Sequence, residues 1–533
     1  MNIVHLKNNY GYNWYTYKNI KTKGYLFDRH GKLWKDEELP QYFTNCESHY
    51  HLYNKLKESN GLFSVTIEKS DMLMAAVDKI RMFPLFYKTL DSKLYITDDP
   101  SFLTDKSSGL DPLAVNEFLA TGYVTGKDIL LNNVYQIEAG QILIYSKQKT
   151  ETIWYHQMIS NNNLNADHDL LRDMLIDMLE KMFLRTGELA KDKKIAIPLS
   201  GGFDSRLIAM MIKEHGFNDV ICFSYGRKNN KEAVISEKVA KILGFPWFFI
   251  EYNDDICKNY LHEKEFEDYA LFTSNYCSMP YLQEYFAVKY LRNNKIIDND
   301  TIILAGHSMG AIVGGRISPK FSHAQKIEKT ADLIYNDNYT LVKPEPEIKE
   351  KLKRKIISQI TLLSSKNLIS GEICQNWELK ERQAKFISNS TNVFNWFGCK
   401  HSIPFLNLDF MEFYANIDLK QKICKKMYRE VLANKYFKPH GLLFEYELQA
   451  NPIDHKIHAF KNKFKPLVPS WILKDKLLKA DWPYYGVLTK EMEKQLLENN
   501  IKPSKCRNSF NEMIVQWFIY FIQKVLYKKY KIK

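Results

Sequence analysis

The sequence has few cysteines, and none at the spacing that zinc sites and redox motifs use. Its 8 cysteines are spread over 533 residues without a C-x-x-C pair, which excludes the common zinc patterns and gives no disulfide framework. Thiols at this density are typical of a reducing compartment. We therefore expect a cytoplasmic protein.

Long apolar runs are also absent. The segment from Met1 to Lys7 lacks the apolar core that a signal peptide needs. The most apolar stretch, Met513 to Leu526, is too short to cross a bilayer and is interrupted by Gln516 and Gln523. We predict no transmembrane segment and interpret this stretch as a terminal helix packed on the core, with an anchor on a membrane surface as the alternative.

Positive charge is in excess, but it is not concentrated in one region. The chain carries 75 Lys and Arg against 62 Asp and Glu, a formal net charge of +13, and it has no arginine-rich arm. We therefore predict anionic small-molecule substrates and no nucleic acid partner. Hydrophobic residues make up 45% and aromatic residues 14%, which excludes a disordered chain. The length of 533 residues predicts two or three domains.

A short apolar strand, a tight turn and a helix follow one another between Lys194 and Ile212. The turn holds Gly201 and Gly202, and adjacent glycines let backbone N–H groups converge on an anion. Serine hydroxyls and the helix N-terminus add to this. Asp204 would repel a phosphate unless Mg²⁺ lies between them, and Mg²⁺ favours one or two carboxylates with phosphate oxygens. The segment predicts a site for a magnesium-bound phosphate.

The spacing differs from Gly-x-x-x-x-Gly-Lys-Ser/Thr, so the P-loop of kinases and GTPases is excluded. The segment resembles the Ser-Gly-Gly-x-Asp-Ser pyrophosphate loop of the N-type ATP pyrophosphatases. That resemblance implies binding of ATP and Mg²⁺, with Asp204 as the metal ligand. The residues implied to bind ATP and its pyrophosphate are Leu199, Ser200, Gly201, Gly202, Asp204 and Ser205. The alternative is an ordinary Gly-Gly turn between a strand and a helix.

Two further strands, Val220 to Gly226 and Trp247 to Ile250, alternate with a predicted helix. This alternation predicts parallel β-α-β units, whose ligands bind at the carboxyl ends of the strands. Ser224 and the loop after Gly226 are therefore expected to reach the adenine or the ribose. We interpret Glu232 as a cap of the intervening helix.

A glycine-rich turn follows the next strand. It resembles the Ser-Gly-x-Gly-Ser-Asp-Glu-x-x-x-Gly-Gly motif of the same family, which implies that Gly306, His307 and Ser308 contact ATP. The acidic pair of the motif helps to hold Mg²⁺ and pyrophosphate, and Met309 and Gly310 replace it here. Either a different group completes the metal site, or the affinity for Mg-ATP is reduced. His307 either contacts the substrate or fills the loop.

Two basic segments lie further along the chain. The stretch Lys425-Lys426-Met427-Tyr428-Arg429-Glu430 resembles the helix that bears the catalytic lysine of this family, which implies Lys425 in that role. A cation there would neutralise charge that develops on the phosphate and on the tetrahedral intermediate. The alternative is a solvated lysine run. A basic loop from His455 to Lys463 implies a second lysine near the nucleotide, Lys456.

The first third of the chain is rich in short alternating strands. The segment Asp78 to Tyr87 resembles class II glutamine amidotransferase domains, which use an N-terminal cysteine whose own α-amine serves as the base. Residue 2 here is Asn, and the first cysteine is Cys46. We therefore expect residues 1–160 to form a degenerate, structural domain without glutaminase activity, and residues 161–533 to form the synthetase domain.

The predicted fold is α/β. The resemblance implies an Ntn-like αββα sandwich, followed by a doubly wound parallel-sheet ATP pyrophosphatase domain with a helical C-terminal part. The matches run in family order from about residue 60 to 470, and the chain resembles the glutamine-hydrolysing, class B asparagine synthetases.

This resemblance implies an AMP-forming carbon–nitrogen ligase. A substrate carboxylate is adenylated by Mg-ATP with release of pyrophosphate, and ammonia or an amine then forms an amide as AMP leaves. Free ammonia or a separate glutaminase would supply the nitrogen. The pattern from Gly306 to Pro319 looks like relatives that amidate sugar acids for bacterial surface polysaccharides, so the carboxylate need not be aspartate.

Three other hypotheses stay open. One is a ring-closing enzyme of the β-lactam synthetase or lasso-peptide cyclase type, in which the substrate supplies its own amine. Another is a non-catalytic scaffold, favoured by Met309 and Gly310 and opposed by the intact loop from Ser200 to Ser205. The last is an RNA-modifying pyrophosphatase, which the net charge suggests although no RNA-binding module is recognisable.

Overall fold

The structure is a computed structural model. It describes residues 2–159, 164, 166–317, 325–364, 369–444, 447, 477, 480–504 and 509–530, without the side chains of residues 362 and 364. The expected domain boundary between residues 160 and 161 lies outside these residues. Pro319 and the whole basic loop with Lys456 lie outside them as well.

Strands dominate the first third of the described chain, and helices dominate the last third. The strands are β1 Ile3–His5, β2 Trp14–Tyr17, β3 Ile20–Phe27, β4 Leu33–Lys35, β5 Asn60–Glu68, β6 Met72–Val77, β7 Phe86–Leu90, β8 Lys93–Thr97, β9 Tyr135–Gln136, β10 Gln141–Ser146, β11 Lys149–Trp154, β12 Ile195–Pro198, β13 Val220–Gly226, β14 Trp247–Glu251, β15 Ile302–Leu304 and β16 Lys400–Ser402.

The α-helices are α1 Leu39–Tyr42, α2 His49–Glu58, α3 Pro112–Thr121, α4 His168–Ala190, α5 Phe203–Glu214, α6 Lys231–Leu243, α7 Asp254–Cys257, α8 Lys264–Ser274, α9 Tyr285–Asn293, α10 Met309–Ile312, α11 Ile327–Asn338, α12 Pro346–Ser364, α13 Ser370–Glu378, α14 Ser388–Ser390, α15 Asn392–Trp396, α16 Leu408–Asn416, α17 Leu419–Lys422, α18 Lys426–Val431, α19 Tyr485–Glu498 and α20 Asn511–Tyr530. Two π-helical segments, Leu379–Ile387 and Leu432–Phe437, continue α13 and α18.

Two sheets stack face to face in the N-terminal part. One has the order β1-β8-β7-β9, and the other has the order β11-β10-β6-β5-β3-β2 with β4 on β3. Because side chains alternate across a strand, β6 packs Leu73 and Ala75 against the first sheet and turns Met74 and Ala76 toward α2. Strand β6 is thus buried on both faces of the second sheet.

A parallel sheet of five strands forms the second architectural unit, in the order β14-β13-β12-β15-β16. The chain leaves β12 toward β13 and β14 on one side, and later returns to place β15 and β16 on the other. Right-handed crossovers in opposite directions put their helices on opposite faces, which is the doubly wound pattern. The carboxyl end of β12 therefore lies at the switch point, where such sheets bind ligands.

One hydrophobic cluster joins the two parts. It runs from Tyr25 in β3 through the parallel sheet to Leu526 in α20. Helix α20 buries Val515, Phe518 and Ile522 in this cluster, which confirms the packed terminal helix and contradicts the membrane anchor. In the described part of the chain, no helix is long and apolar enough to cross a membrane.

Candidate active site

The loop between β12 and α5 is held in shape by its own serines. Ser200 donates its backbone N–H to Oγ of Ser205 at 3.1 Å, and the two hydroxyl oxygens lie 3.0 Å apart. Gly202 donates its N–H to Oγ of Ser200 at 3.1 Å and precedes the first residue of α5. The loop is therefore pre-shaped at the N-terminus of a helix, where anions bind favourably.

Glu232 braces the same loop from the neighbouring helix. Its Oε2 accepts the N–H of Gly201 at 2.7 Å. The cap of α6 is Asn230, whose side chain accepts the N–H of Ala233. The interpretation of Glu232 as a helix cap is therefore wrong, since its carboxylate reaches sideways to the glycine loop.

Arg206 supports the loop from behind and is fully buried. Its guanidinium donates to both carboxylate oxygens of Glu447 at 2.9 Å and to the carbonyl oxygen of Gly201 at 2.8 Å. A third partner is the carbonyl oxygen of Leu442 at 2.7 Å. This bidentate pair ties the loop to a segment more than 200 residues later, with the planar geometry that arginine favours.

Asp204 and Lys425 meet beside the loop. Nζ of Lys425 lies 3.8 Å from Oδ2 of Asp204, and the hydroxyl of Tyr428 donates to Oδ1 at 3.0 Å. Burial raises the pKa of Asp204 above its usual value, while Lys425 and Tyr428 act in the opposite direction. Its side chain keeps 26% exposure, so an ion can reach it. One accessible carboxylate beside a phosphate-sized loop fits Mg²⁺, which takes its other ligands from phosphate and water.

The turn after β15 closes over the loop. A Cβ on Gly306 would lie 3.1 Å from the backbone nitrogen of Ser205, so the two turns approach closely at a glycine. Burial lowers the pKa of His307 to about 4, which leaves a neutral imidazole at neutral pH. Ser308 has a left-handed backbone at the start of α10. The side chain of Met309 is buried in the core, and Gly310 faces Lys425.

These elements enclose a cleft of about 240 Å³ at the carboxyl ends of β12, β13 and β15. Most of the predicted residues line it: Leu199, Ser200, Gly202, Asp204, Ser205, Ser224, Gly306 and His307. Gly201 lies behind the loop against Glu232 and Ile235. Ser224 is at the wall, but its hydroxyl donates to the carbonyl oxygen of Leu199 at 2.5 Å and pairs with Ser236.

The far end of the cleft was not predicted from the sequence. Aromatic rings form its walls, together with a buried carboxyl group, from the residues Phe223, Tyr225, Tyr281, Trp482 and Glu284. The hydroxyl of Tyr225 donates to Oε1 of Glu284 at 3.1 Å, and burial raises the pKa of Glu284 to about 7. No motif marks these residues, because they come from three separate parts of the chain.

Among the described residues, no group of three or more His, Cys, Asp or Glu side chains could hold a metal ion by itself. A magnesium ion delivered with a nucleotide does not need such a group.

The fold and the site together define a class of protein. It is a parallel α/β domain with a ligand cleft at the switch point of the sheet. Residues 186–308, which contain β12 to β15 and the glycine loop, match the family described as asparagine synthase. This part of the chain is therefore similar to asparagine synthase domains.

Two curated relatives are similar to a larger part of the chain. A probable glutamine-hydrolysing asparagine synthetase of Acanthamoeba polyphaga mimivirus is 24% identical over 339 residues, which cover 58% of this chain and 58% of that protein. A putative glutamine-hydrolysing asparagine synthetase of Methanocaldococcus jannaschii is 22% identical over 205 residues, 34% of this chain and 39% of that protein. The chain thus spans 58% and 39% of these relatives.

Among solved structures, the chain is similar to the glutamine phosphoribosylpyrophosphate amidotransferase of B. subtilis, with 9% identity and a TM-score of 0.19 over 44% of this chain and 72% of that one. An allosteric regulatory enzyme of purine biosynthesis gives 12% identity and a TM-score of 0.17 over 45% and 62%. TM-scores this low do not establish a shared fold.

Proposed function

We propose that this protein is an ATP-dependent, AMP-forming carbon–nitrogen ligase that adenylates a carboxylate and converts it into an amide. The observation that carries the proposal is that Asp204 lines the cleft beside the serine-glycine loop and that Nζ of Lys425 lies 3.8 Å from its carboxylate. The asparagine synthase match over residues 186–308 covers the same loop.

The proposed first step is attack of a substrate carboxylate oxygen on the α-phosphorus of ATP. The bond from the α-phosphorus to the bridging oxygen breaks, and pyrophosphate leaves toward the glycine loop. Asp204 would hold Mg²⁺, which neutralises part of the triphosphate charge when it is bound. The ammonium of Lys425 lies where it can stabilise the charge that develops on the phosphoryl oxygens.

The proposed second step is attack of ammonia or an amine on the acyl carbon of the adenylate. The carbon–nitrogen bond forms, the bond to the AMP oxygen breaks, and the nitrogen loses a proton. His307 lines the cleft as a neutral imidazole and is our candidate for a substrate contact. In this proposal the nitrogen comes from free ammonia, a separate glutaminase or the substrate itself.

The test is pyrophosphate release and AMP formation from Mg-ATP with a panel of carboxylates, sugar acids included, with and without ammonium. We expect release that depends on one carboxylate, disappears in Asp204→Ala, and falls about a hundredfold in Lys425→Ala. Lys426→Ala is the matched control, because Lys426 is the exposed neighbour of Lys425.

Ammonium dependence separates the two amide-forming hypotheses. A product that requires ammonium indicates amidation. A product that forms without ammonium and has the mass of the substrate minus one water indicates ring closure. If no carboxylate releases pyrophosphate and calorimetry detects no ATP binding, the enzyme proposal is wrong and a scaffold remains.

A further inference from the structure

Lys425 is held in an unusual backbone conformation. Cys424 and Lys425 both have left-handed dihedral angles, with φ of 59° and 57°, immediately before α18. Residues with a Cβ rarely adopt this conformation, and two in succession are rarer still. The chain reverses here and directs the lysine side chain toward the loop after β15.

Two glycines form a cradle for that side chain, and we call them the glycine cradle. A Cβ on Gly315 would lie 2.4 Å from Cε of Lys425, and a Cβ on Gly310 would lie 3.1 Å from its Nζ. A side chain on Gly315 would therefore displace the lysine, whereas a single methyl group on Gly310 would require only a small shift of the ammonium. The ammonium then lies 3.8 Å from Asp204.

The cradle gives a reason for the missing acidic pair. Met309 is buried in the core and Gly310 has no side chain, so the turn offers no carboxylate to a metal. Among the described residues, the other two carboxyl groups that line the cleft already accept hydrogen bonds. Glu232 accepts the N–H of Gly201, and Glu284 accepts the hydroxyl of Tyr225.

We propose that the glycine cradle is a positioning device for Lys425, and that this site binds ATP with a single divalent cation, held by Asp204. Gly310 leaves room for the lysine beside it, and the lysine supplies positive charge at the turn where the motif that this segment resembles carries its acidic pair. The inference rests on the proposed function, because it assumes that the cleft takes ATP.

The first experiment counts ions. Mn²⁺ is titrated into the full chain at saturating α,β-methylene ATP, which cannot release pyrophosphate, and bound Mn²⁺ is measured by electron paramagnetic resonance. We expect one Mn²⁺ per chain. Two ions per chain would overturn this inference and leave the proposed function intact, whereas failure to bind the nucleotide would overturn both.

The second experiment fills the cradle. Gly310→Leu places a side chain where Nζ lies, and we expect it to weaken binding of the same analogue about ten- to a hundredfold, as Lys425→Ala does. The double variant should lose no more than either single variant. The Cβ of Gly310→Ala requires only a small shift of the Lys425 ammonium, so this variant should lose less affinity for the analogue.

Lys426→Ala is the control and should bind as the wild type does. Circular dichroism and thermal unfolding show whether each variant is folded. If Gly310→Leu does not fold, Gly310→Ala still tests the cradle. Unchanged affinity in Gly310→Leu, or a double variant whose losses add, would show that the cradle does not position Lys425.

Discussion

At the scale of single residues, burial in the cleft changes the pKa of Glu284. The residue is 4% exposed, and burial raises its pKa from 4.5 to about 7. The hydrogen bond from the Tyr225 hydroxyl stabilises the carboxylate and opposes this rise in pKa. Because the folded state holds this proton more tightly than the unfolded state, the stabilisation is complete below pH 4.5 and is lost as the pH rises through 7.

We predict that Glu284→Gln removes this pH dependence. Relative to wild type, the variant should gain about 3 kcal/mol of unfolding free energy between pH 4.5 and pH 8, since each unit of pKa shift corresponds to about 1.4 kcal/mol. Urea unfolding at several pH values measures the difference. A constant difference between variant and wild type across this range would contradict the prediction.

Tyr428 acts on the acidity of the proposed metal ligand. Its hydroxyl donates to Oδ1 of Asp204 and opposes the rise in pKa that burial causes. Asp204 must be ionised to hold a cation. As the pH is lowered, nucleotide binding should therefore be lost at a higher pH than it would be with an aspartate of ordinary pKa.

We predict that Tyr428→Phe moves this loss to still higher pH, because the carboxylate loses its hydrogen bond. Affinity for Mg-bound α,β-methylene ATP between pH 4.5 and pH 8 measures the shift. Tyr436→Phe is a suitable control, since its hydroxyl donates to Glu180 instead. Coincident pH profiles for Tyr428→Phe and wild type would show that the hydrogen bond does not matter.

At the scale of elements, the glycine loop depends on supports from distant parts of the chain. Glu232 reaches it from α6, and Arg206 in α5 connects it to Glu447. The guanidinium also packs over the rings of Phe203, Phe437 and Phe444. The loop is therefore held from two sides before any ligand binds.

We predict that Arg206→Ala lowers the unfolding free energy by about 3–5 kcal/mol, because the mostly buried Glu447 would lose its charged partner and retain the N–H of Phe444. Chemical denaturation measures the loss. Lys181→Ala breaks an exposed ion pair with Asp177 and should change stability by less than about 1 kcal/mol. Equal effects of the two substitutions would refute the role of Arg206.

At the scale of the whole molecule, the N-terminal sheets and the parallel sheet share one core. Buried polar contacts also link them. Glu117, in α3, accepts hydrogen bonds from Tyr339 at 2.8 Å and from Lys355 at 2.8 Å. Arg81 is fully buried and donates to the carbonyl oxygen of Ala384 at 3.1 Å. The N-terminal part therefore packs against the part with the parallel sheet and supports it.

We predict one cooperative unfolding transition for the full chain in calorimetry. Lys355→Ala, which leaves Glu117 buried with one partner fewer, should lower the Tm of that single transition by about 3–5 °C without splitting it. Two separated transitions in the wild type would show that the parts unfold independently.

The sequence by itself determined the local features of this protein. The strand, turn and helix around Ser200 and Asp204 follow from contiguous residues, because an apolar run, two glycines and an apolar period fix them locally. The alternation of strands and helices likewise predicted a parallel sheet with its site at the ends of the strands. The stacked N-terminal sheets followed from a resemblance together with short alternating runs.

Only the tertiary structure decided which distant side chains meet at the cleft. Tyr428 lies 224 positions from the aspartate that it contacts, and Trp482 reaches the cleft from the far end of the chain. Glu232 looked like a helix cap because sequence shows spacing along a helix but not the direction of a side chain. Gly310 looked like a loss of charge until Lys425 was found against it. Such contacts arise from packing between elements, which no local pattern encodes.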